Sequence, residues 1–322
     1  MKLTNEYGAP DEIVKAIQND SYTKGGADFS VTELIKPPQI RRLWNEHEEE
    51  ISIDVNDEMF KLLGTAVHKL LDSAQKCDMC DGTGIVHDYD ETADDYATGP
   101  GKGEEPCNSC DGTGVIDDGK IREKRFHASH NGTTISGAID LIDPAHGVVT
   151  DYKVTSAYSV KKGLKEDWEQ QLNLYVWLLR QNGITTNKLQ IVAICRDWMK
   201  SRVGKYDYPD SMVVVLSVPI WRDGRQDDYV DQRVRVHTQE ATIPCTPEER
   251  WARGAYQVNP MHSGGGKPRS FDTKREATDY INKKKTGSYR IVDGDAKYVR
   301  CESWCEVADF CPQWKGDRGN GR

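Results

Sequence analysis

A duplicated cysteine motif places the tightest constraint on what this chain can fold into. The run Cys77-x-x-Cys80-Asp-Gly-Thr-Gly recurs as Cys107-x-x-Cys110-Asp-Gly-Thr-Gly. Glycine permits the turned backbone that lets amide groups face the sulfurs, so each copy predicts a tight knuckle. Two knuckles supply four thiolates, the ligand number of a tetrahedral structural zinc ion. The sequence therefore predicts a Zn²⁺ site formed by Cys77, Cys80, Cys107 and Cys110.

The repeat resembles the Cys-x-x-Cys-x-Gly-x-Gly zinc modules of the DnaJ chaperones, although those have four copies and this chain has two. Residues 88–118 hold ten Asp and Glu and one Lys. We expect residues 77–119 to be an insertion that is too polar to form a core and is held together by the metal. Contact with DNA or with a protein partner is the alternative, but the acidic loop would repel phosphate.

Charge and cysteine usage bound the class of protein. The 322 residues carry a net charge of −9, which disfavours a nucleic-acid partner mildly, but residues 261–300 hold ten Lys and Arg against five Asp and Glu. That basic stretch is either a surface that follows phosphates or a solvated helix face. We see no secretory signal in residues 1–19 and no apolar run long enough to span a membrane. We therefore expect the cytosol, where nine cysteines favour metal over disulfides.

Hydrophobic periodicity predicts an α/β protein with a mixed central sheet flanked by helices. Residues 59–74 repeat at helical spacing and predict an amphipathic helix with a wide buried stripe. Residues 133–142 and 148–154 predict a β-hairpin that turns at residues 143–147. The remaining predicted elements are a short helix after Pro10, a helix over 164–180, strands over 189–195 and 212–220, and a last helix over 273–285.

The predicted hairpin gathers two carboxylates and a lysine. Side chains alternate across a strand, so Asp151 and Lys153 point to one face, and Asp140 on the paired strand can converge with them. Two nearby carboxylates hold hard divalent cations, which polarise a phosphate and activate a bound water. The lysine can orient that water or stabilise charge on phosphorus. Alone, a short Asp-x-Lys pattern is more often a solvated strand edge.

Two predicted helices carry polar residues that favour a metal site over a solvated strand edge. His68 lies beside the apolar stripe of the first helix, where a lone histidine is usually a satisfied core residue. Gln171 interrupts an apolar row of the second helix, made by Leu164, Trp168, Tyr175 and Leu178. A buried amide needs hydrogen-bond partners, and Gln171 shares a helix face with Tyr175. Both can reach toward the sheet, although a purely structural hydrogen bond is the alternative.

Taken in order, these residues resemble the RecB and AddB branch of the PD-(D/E)XK nucleases, which includes phage exonucleases. The four motifs are Gly-x-x-x-His at Gly64 and His68, Gly-x-x-Asp at Gly137 and Asp140, Asp-x-Lys at Asp151 and Lys153, and Gln-x-x-x-Tyr at Gln171 and Tyr175. The resemblance implies a restriction-endonuclease-like fold and a DNA exonuclease of recombination, repair or phage DNA metabolism. It also implies that the cytosol is that of a bacterium or a phage-infected host. We expect DNA as partner, with a recombination protein such as a single-strand annealing protein as a further candidate.

The same resemblance implies roles for the residues. His68, Asp140, Asp151 and the backbone carbonyl of Tyr152 would bind Mg²⁺ or Mn²⁺. Lys153 would be the catalytic lysine. Gln171 and Tyr175 would position the site and the DNA. A non-catalytic zinc-containing DNA-binding or chaperone-like module is the competing hypothesis, and a nuclease acting on RNA is a weaker one.

A second cysteine group lies near the C-terminus as Cys301-x3-Cys305-x5-Cys311, with Cys245 as a candidate fourth ligand. Several RecB-type nucleases hold an iron–sulfur cluster with one distant cysteine and three C-terminal ones, and four thiolates suit a four-iron cluster. The usual spacing begins Cys-x-x-Cys, and the distant cysteine is often near the N-terminus, so this chain departs in both respects. A second Zn²⁺ is the alternative. Cys195, in a predicted strand, is expected to be buried packing.

These predictions divide the chain into four parts. Residues 1–76 would hold N-terminal helices and the first part of the nuclease core. Residues 77–119 would be the zinc-knuckle insertion, and residues 120–240 the rest of the core. Residues 241–322 would form the Cys-rich metal-cluster region.

Overall fold

A computed structural model describes residues 1–19, 23–87, 104–161, 163–205, 207–222, 224–261, 266–284 and 286–319. Its helices are α1 Asp11–Gln18, α2 Val31–Ile35, α3 Pro38–His47, α4 Val55–Asp72, α5 Ala157–Lys161, α6 Glu166–Gln181, α7 Arg225–Thr238, α8 Lys274–Asn282, α9 Val299–Ser303 and α10 Pro312–Gly319. Its strands are β1 Lys2–Thr4, β2 Phe29–Ser30, β3 Ser52–Asp54, β4 Ile85–His87, β5 Glu104–Pro106, β6 Ile121–His130, β7 Thr133–Asp143, β8 Val148–Thr155, β9 Lys188–Cys195, β10 Val213–Val218, β11 Ala252–Arg253, β12 Tyr256–Pro260, β13 Arg269–Phe271, β14 Tyr289–Asp293 and β15 Lys297–Tyr298. The acidic residues 88–103 lie outside this description.

The chain divides into two compact units. One comprises Met1–Lys15, Thr32–Asp57 and Asp231–Arg322, and the other comprises Ala16–Val31 and Glu58–Val230. The proposed catalytic residues and the cysteine knuckles belong to the second unit, whereas the C-terminal cysteines belong to the first. The four-part division made from the sequence stays a prediction. None of the described helices is both long enough and apolar enough to cross a bilayer.

A six-stranded mixed sheet forms the centre of the second unit, in the order β10, β9, β8, β7, β2, with β6 also paired to β7. Strands β8 and β9 are parallel, while β9 and β10, and β7 and β8, are antiparallel. Strand β6 follows β7 along nearly its whole length. On the other edge, β2 pairs with residues 135–136 and β8 with residues 141–143. The mixed central sheet predicted from the sequence is confirmed, and β7 is its most shared strand.

Alternating side chains explain why these strands form a sheet with a buried face. In β9, every second residue is buried, including Cys195, which is fully enclosed as predicted packing. Helix α6 packs against β6 and β7, and ten of its 16 residues are buried, including Gln171 and Tyr175. Gly137 permits this close approach, because a Cβ there would lie 2.8 Å from the Tyr175 ring and 2.9 Å from Leu178.

Two expectations about helices are wrong in detail. Of the described side chains of α4, only Val55 is buried, and the predicted stripe leaves Phe60 47%, Leu63 44% and Leu70 70% exposed. Periodicity shows that one helix face is apolar, but not whether another element covers it. The second error is Leu164, which was assigned to the buried helical row but precedes α6.

The first unit contains a small antiparallel sheet, β13–β12–β14, with α8 lying between β13 and β14 in the chain. A capping box fixes the start of α8: Thr273 accepts from the Glu276 amide, and the Glu276 side chain accepts from the Thr273 amide. Four basic residues of the stretch 261–300 lie in these elements, namely Arg269, Lys274, Arg275 and Arg290. A separate apolar core joins α3 to the C-terminal cysteines, formed by Ile40, Leu43, Ile51, Ile53, Val307 and Cys311.

Candidate active site and metal centres

The two aspartates meet where strands β7 and β8 diverge. Their antiparallel pairing ends at Leu141 opposite Thr150, and the next positions in the same register are Asp140 and Asp151. Instead of a ladder hydrogen bond, the Tyr152 amide donates to Asp140 Oδ2 at 2.7 Å. Asp140 is 8% exposed and Asp151 only 1%, so two carboxylates are buried at one point of the sheet.

Lys153 and Gln171 are tied to the second carboxylate. Lys153 Nζ lies 2.8 Å from Asp151 Oδ2 and donates to Gln171 Oε1 at 3.0 Å. The Gln171 amide nitrogen donates to Asp151 Oδ1 at 3.2 Å and to the Tyr175 hydroxyl at 2.7 Å. Gln171 thus uses both ends of its side chain to connect the lysine, the aspartate and the tyrosine.

His68 approaches the same point from helix α4. Its Nε2 lies 3.1 Å from the Tyr152 carbonyl oxygen, and its Nδ1 lies 3.6 Å from Asp140 Oδ1. Nδ1 also lies 3.1 Å from Oε1 of Glu123, a residue of β6 that the sequence did not single out. The run Ile121–His130 has no regular apolar alternation, so the sequence offered no clear signal that it pairs with β7 and brings Glu123 opposite Asp140.

The buried charges shift one another's pKa values. Burial, reinforced by the Asp151 charge, raises the pKa of Asp140 to about 7. Burial opposes the charge on Lys153, but Asp151 and Asp140 outweigh it and raise the pKa of that lysine. The hydrogen bond to Glu123, with the Asp140 charge, raises the pKa of His68 to about 9 against the effect of burial. The carboxylates thus raise the pKa of both Lys153 and His68, so the site favours bound positive charge.

This donor set fits a hard divalent cation. His68, Glu123 and Asp140 each offer a ligand atom, and these atoms lie within 4.8 Å of one another. Asp151 Oδ2 is buried and receives no hydrogen bond of good geometry, although Lys153 neutralises it as an ion pair. An enclosed carboxylate oxygen with a free lone pair, next to a second buried carboxylate, suits Mg²⁺ or Mn²⁺.

The four knuckle cysteines form a compact thiol group. Cys77 and Cys107 have sulfurs 3.7 Å apart, as do Cys80 and Cys110, and all four sulfurs lie within 4.8 Å of one another. Four sulfurs at about 2.3 Å from a tetrahedral zinc ion are separated by about 3.8 Å. Burial opposes the Cys80 thiolate, but hydrogen bonds from the Gly84 amide and the other cysteines lower its pKa to about 7.

The backbone of the two knuckles is related by matching hydrogen bonds. The amide of the first cysteine in each copy donates to the last glycine carbonyl of the other, from Cys77 to Gly114 at 2.9 Å and from Cys107 to Gly84 at 2.8 Å. The amides of Gly84 and Gly114 donate to the sulfurs of Cys80 and Cys110 at 3.3 and 3.2 Å. The duplicated sequence therefore folds as one interlocked pair.

The C-terminal cysteines are spaced more widely. Cys245, Cys301, Cys305 and Cys311 line one pocket. Among described His, Cys, Asp and Glu residues, the only groups of three or more ligand atoms within 4.8 Å are the knuckle cysteines and His68 with Glu123 and Asp140.

Two of the C-terminal sulfurs accept hydrogen bonds from buried side chains. The Arg250 guanidinium donates to Cys301 at 3.4 Å, and the Gln39 amide donates to Cys311 at 3.2 Å. Gln39 is 3% exposed and Arg250 is 5% exposed. These two donors hold the Cys301 and Cys311 sulfurs in place at the pocket.

The sheet supplies two carboxylates and a lysine, and the helices α4 and α6 add a histidine and a glutamine at the same point, an arrangement suited to metal-assisted phosphodiester chemistry. Comparison of the sequence with family models gives a match to the PD-(D/E)XK nuclease superfamily over residues 41–312. The chain belongs to this superfamily. A search of the curated proteins finds no match.

Two solved structures show a distant likeness. One is SSO0001, with 16% identity, a TM-score of 0.43, and coverage of 76% of this chain and 92% of that one. The other is a phage-related exonuclease from Haemophilus somnus 129PT, with 18% identity, a TM-score of 0.24, and coverage of 37% and 58%. Both TM-scores are too low to support an argument, so membership rests on the family match alone.

Proposed function

We propose that this chain is a Mg²⁺- or Mn²⁺-dependent DNA exonuclease that acts in recombination, repair or phage DNA metabolism. The supporting observation is the convergence of Asp140, Asp151 and Lys153 at the divergence of β7 and β8 in a PD-(D/E)XK superfamily member. The choice of exonuclease rests on the resemblance of its motifs to the RecB and AddB branch. A single-strand annealing protein is a fitting partner for such an activity.

In this proposal Asp140, Asp151, the Tyr152 carbonyl and His68 hold the cation. When bound, the ion supplies a water of lowered pKa and polarises the scissile phosphate. Lys153, fixed between Asp151 and Gln171, presents its ammonium where charge develops on phosphorus or where the attacking water must be oriented. The expected products carry a 5′-phosphate.

Gln171 is the positioning residue of this arrangement. Its amide nitrogen donates to Asp151 and to the Tyr175 hydroxyl, while its oxygen accepts a hydrogen bond from Lys153 Nζ. A side chain held at three points keeps Lys153 and Asp151 in one orientation. Tyr175 is in turn fixed by its close packing on Gly137, which connects the helix to the strand that carries Asp140.

We further propose a structural Zn²⁺ at the knuckles and a four-iron cluster at Cys245, Cys301, Cys305 and Cys311. The sulfur separations of the knuckles support a single ion. The wider spacing of the C-terminal sulfurs favours a cluster over a second zinc, because a cluster spreads its four ligands around a larger body. Iron content and an absorbance band at about 400 nm distinguish the cluster from zinc.

The decisive experiment is incubation of the purified protein with linear and circular DNA, single- and double-stranded, in Mg²⁺, Mn²⁺ or EDTA. We expect linear DNA to be degraded from its ends with either metal and preserved in EDTA. Asp151→Asn should lose activity by about 100-fold or more. The matched control is Asp143→Asn, since Asp143 lies in the same hairpin and contacts His146 instead of the site.

Each other outcome has a meaning. Cleavage of covalently closed circles would refute the exonuclease assignment, and full activity in Asp151→Asn would refute the site. Hydrolysis of RNA without hydrolysis of DNA would refute the substrate. DNA binding without cleavage under every condition would favour the non-catalytic alternative.

A further inference from the structure

Glu123 is a carboxylate that neither the motif pattern nor the proposed catalytic set includes. It lies on β6, the strand that runs along β7, and its Oε1 is 3.1 Å from His68 Nδ1. Its side chain is 35% exposed, so it occupies the border of the site rather than the buried centre. It is the nearest acidic partner that the structure gives to the His68 ring.

The backbone at Glu123 is unusual for a strand. Arg122 pairs with Leu141 and Lys124 with Ile139, so the register continues past Glu123 without a shift, but Glu123 itself leaves the ladder opposite Asp140. Its φ is +44°, in the left-handed region that non-glycine residues rarely adopt. Such conformations persist where the surrounding structure imposes them, and they are concentrated at functional sites.

The two nitrogens of the His68 ring face different partners. Nδ1 faces Glu123, and Nε2 lies 3.1 Å from the Tyr152 carbonyl oxygen. Two ligands at right angles on an ion with bonds of about 2.1 Å lie about 3.0 Å apart. Nε2 and the Tyr152 oxygen are within hydrogen-bond distance, and their separation is also that of two neighbouring ligands of one cation. Asp151 Oδ2 is buried and faces positive charge, the Lys153 ammonium at 2.8 Å, so the surrounding structure stabilises a cation beside this oxygen.

We propose that Glu123 is a second positioning residue of this site: it accepts a hydrogen bond from the Nδ1–H of His68 and so presents Nε2 to the cation. The inference rests on the proposed function, since it assumes a cation at Asp140 and Asp151. Histidine ligands commonly donate their second ring N–H to a carboxylate, which fixes the tautomer and the ring orientation. Here that carboxylate comes from a strand outside the four sequence motifs.

The test is a double-mutant cycle on metal affinity, measured without DNA. The dissociation constant of Mn²⁺ is determined by calorimetry for the full chain and for Glu123→Ala, His68→Gln and the double variant. We expect Glu123→Ala to weaken binding by about 10- to 100-fold. In the His68→Gln background the same change should have almost no effect, because Glu123 acts through the histidine.

Equal losses in both backgrounds would overturn the proposal and make Glu123 a direct ligand. No loss in either background would overturn it as well. Glu123→Gln should recover most of the affinity, because its amide oxygen still accepts from Nδ1. Glu166→Gln is the matched control, since Glu166 contacts only the exposed Gln170 side chain among the hydrogen bonds described for it, and its affinity should equal that of the unmodified chain.

A spectroscopic readout separates ring positioning from general damage. Nitrogen NMR of His68 in saturating Mg²⁺ should show Nδ1 protonated in the unmodified chain and a mixture of tautomers in Glu123→Ala. Circular dichroism checks that each variant is folded. If the unmodified chain binds no Mn²⁺, the proposed metal site fails together with this inference. If the unmodified chain binds Mn²⁺ but the double-mutant cycle shows no coupling between Glu123 and His68, only the role of Glu123 is wrong.

Discussion

At the scale of single residues, Lys153 balances the charge of the two buried aspartates. Its Nζ is 2.8 Å from Asp151 Oδ2, and both carboxylates raise its pKa. Removing the charge with Lys153→Met leaves Asp140 and Asp151 without a buried cation, which is costly unless a metal replaces it. We therefore expect a lower melting temperature without metal, a larger stabilisation by Mn²⁺ than in the unmodified chain, and a loss of cleavage by about 100-fold or more.

Thermal unfolding with and without Mn²⁺, combined with the cleavage assay, measures all three effects. Lys188→Met is a suitable control, because Lys188 lies at the exposed start of β9 in the same sheet. A Lys153→Met variant that keeps full activity would show that the ammonium takes no part in the chemistry. Equal stabilisation of both proteins by Mn²⁺ would show that the lysine and the cation do not share the carboxylates.

The strands explain which site residues could be predicted. Asp151 and Lys153 are two apart in an alternating run, so their common face follows from strand geometry alone. The pairing of β7 with β8 then brings Asp140 to them. Glu123 escaped prediction because its strand follows the polar insertion without a clear apolar rhythm. Its left-handed backbone, moreover, depends on tertiary contacts that one-dimensional patterns do not contain.

At the scale of elements, the two knuckles are held together by glycines. A Cβ on Gly84 would lie 2.2 Å from the Gly112 carbonyl oxygen, and its φ is +76°. Gly84→Ala should therefore push the knuckles apart and release zinc, because neither the backbone angle nor the space allows a side chain. Zinc content after dialysis and zinc release to a chromogenic chelator measure the effect.

Gly119→Ala is the matched control for this prediction. Gly119 also has a positive φ, +71°, but nothing lies within 4 Å of an added Cβ. Both variants carry the cost of a strained backbone angle, and only Gly84→Ala adds a clash. If both variants keep their zinc, the interlocked arrangement is contradicted. If both lose zinc to the same extent, the effect comes from the strained backbone angle and not from the clash.

The elements also show where sequence patterns stop being informative. The duplicated motif predicted the knuckle cysteines because covalent spacing and glycine positions are local properties. The stripe of α4 was predicted to be buried, but Leu70 is 70% exposed, since burial depends on what packs against the helix. The small sheet β12–β14 was missed because its strands are three to five residues long, too short for a period to be recognised.

At the scale of the whole molecule, the net charge of −9 repels the phosphates of DNA. Any binding of DNA must therefore depend on where the positive charges lie. The first turn of α8 carries the exposed Lys274 and Arg275, although cations at a helix N-terminus are unfavourable. Arg275 is 92% exposed, and its ion pair with Asp279 is long, at 4.0 Å. These two charges add little to the stability of the fold. This favours a phosphate-binding role for the basic stretch over a solvated helix face.

Reversing both charges tests this choice. With Asp151→Asn as the background to prevent cleavage, Lys274→Glu with Arg275→Glu should weaken binding of double-stranded DNA. It should also reduce the slope of log affinity against log salt by roughly 1 to 2, because about one counterion is released per phosphate contact. Fluorescence anisotropy over a salt series measures both quantities.

The control must change the net charge equally at another place. Lys2→Glu with Lys15→Glu is such a control, because both lysines are exposed. Each double variant replaces two positive by two negative charges, which changes the net charge from −9 to −13 before the Asp151→Asn change that both share. If only the α8 variant loses affinity and slope, the positive charges of that helix contact phosphate directly. If both variants lose equally, the overall field of the molecule governs binding. If neither changes, α8 is a solvated face and the DNA is held by other residues.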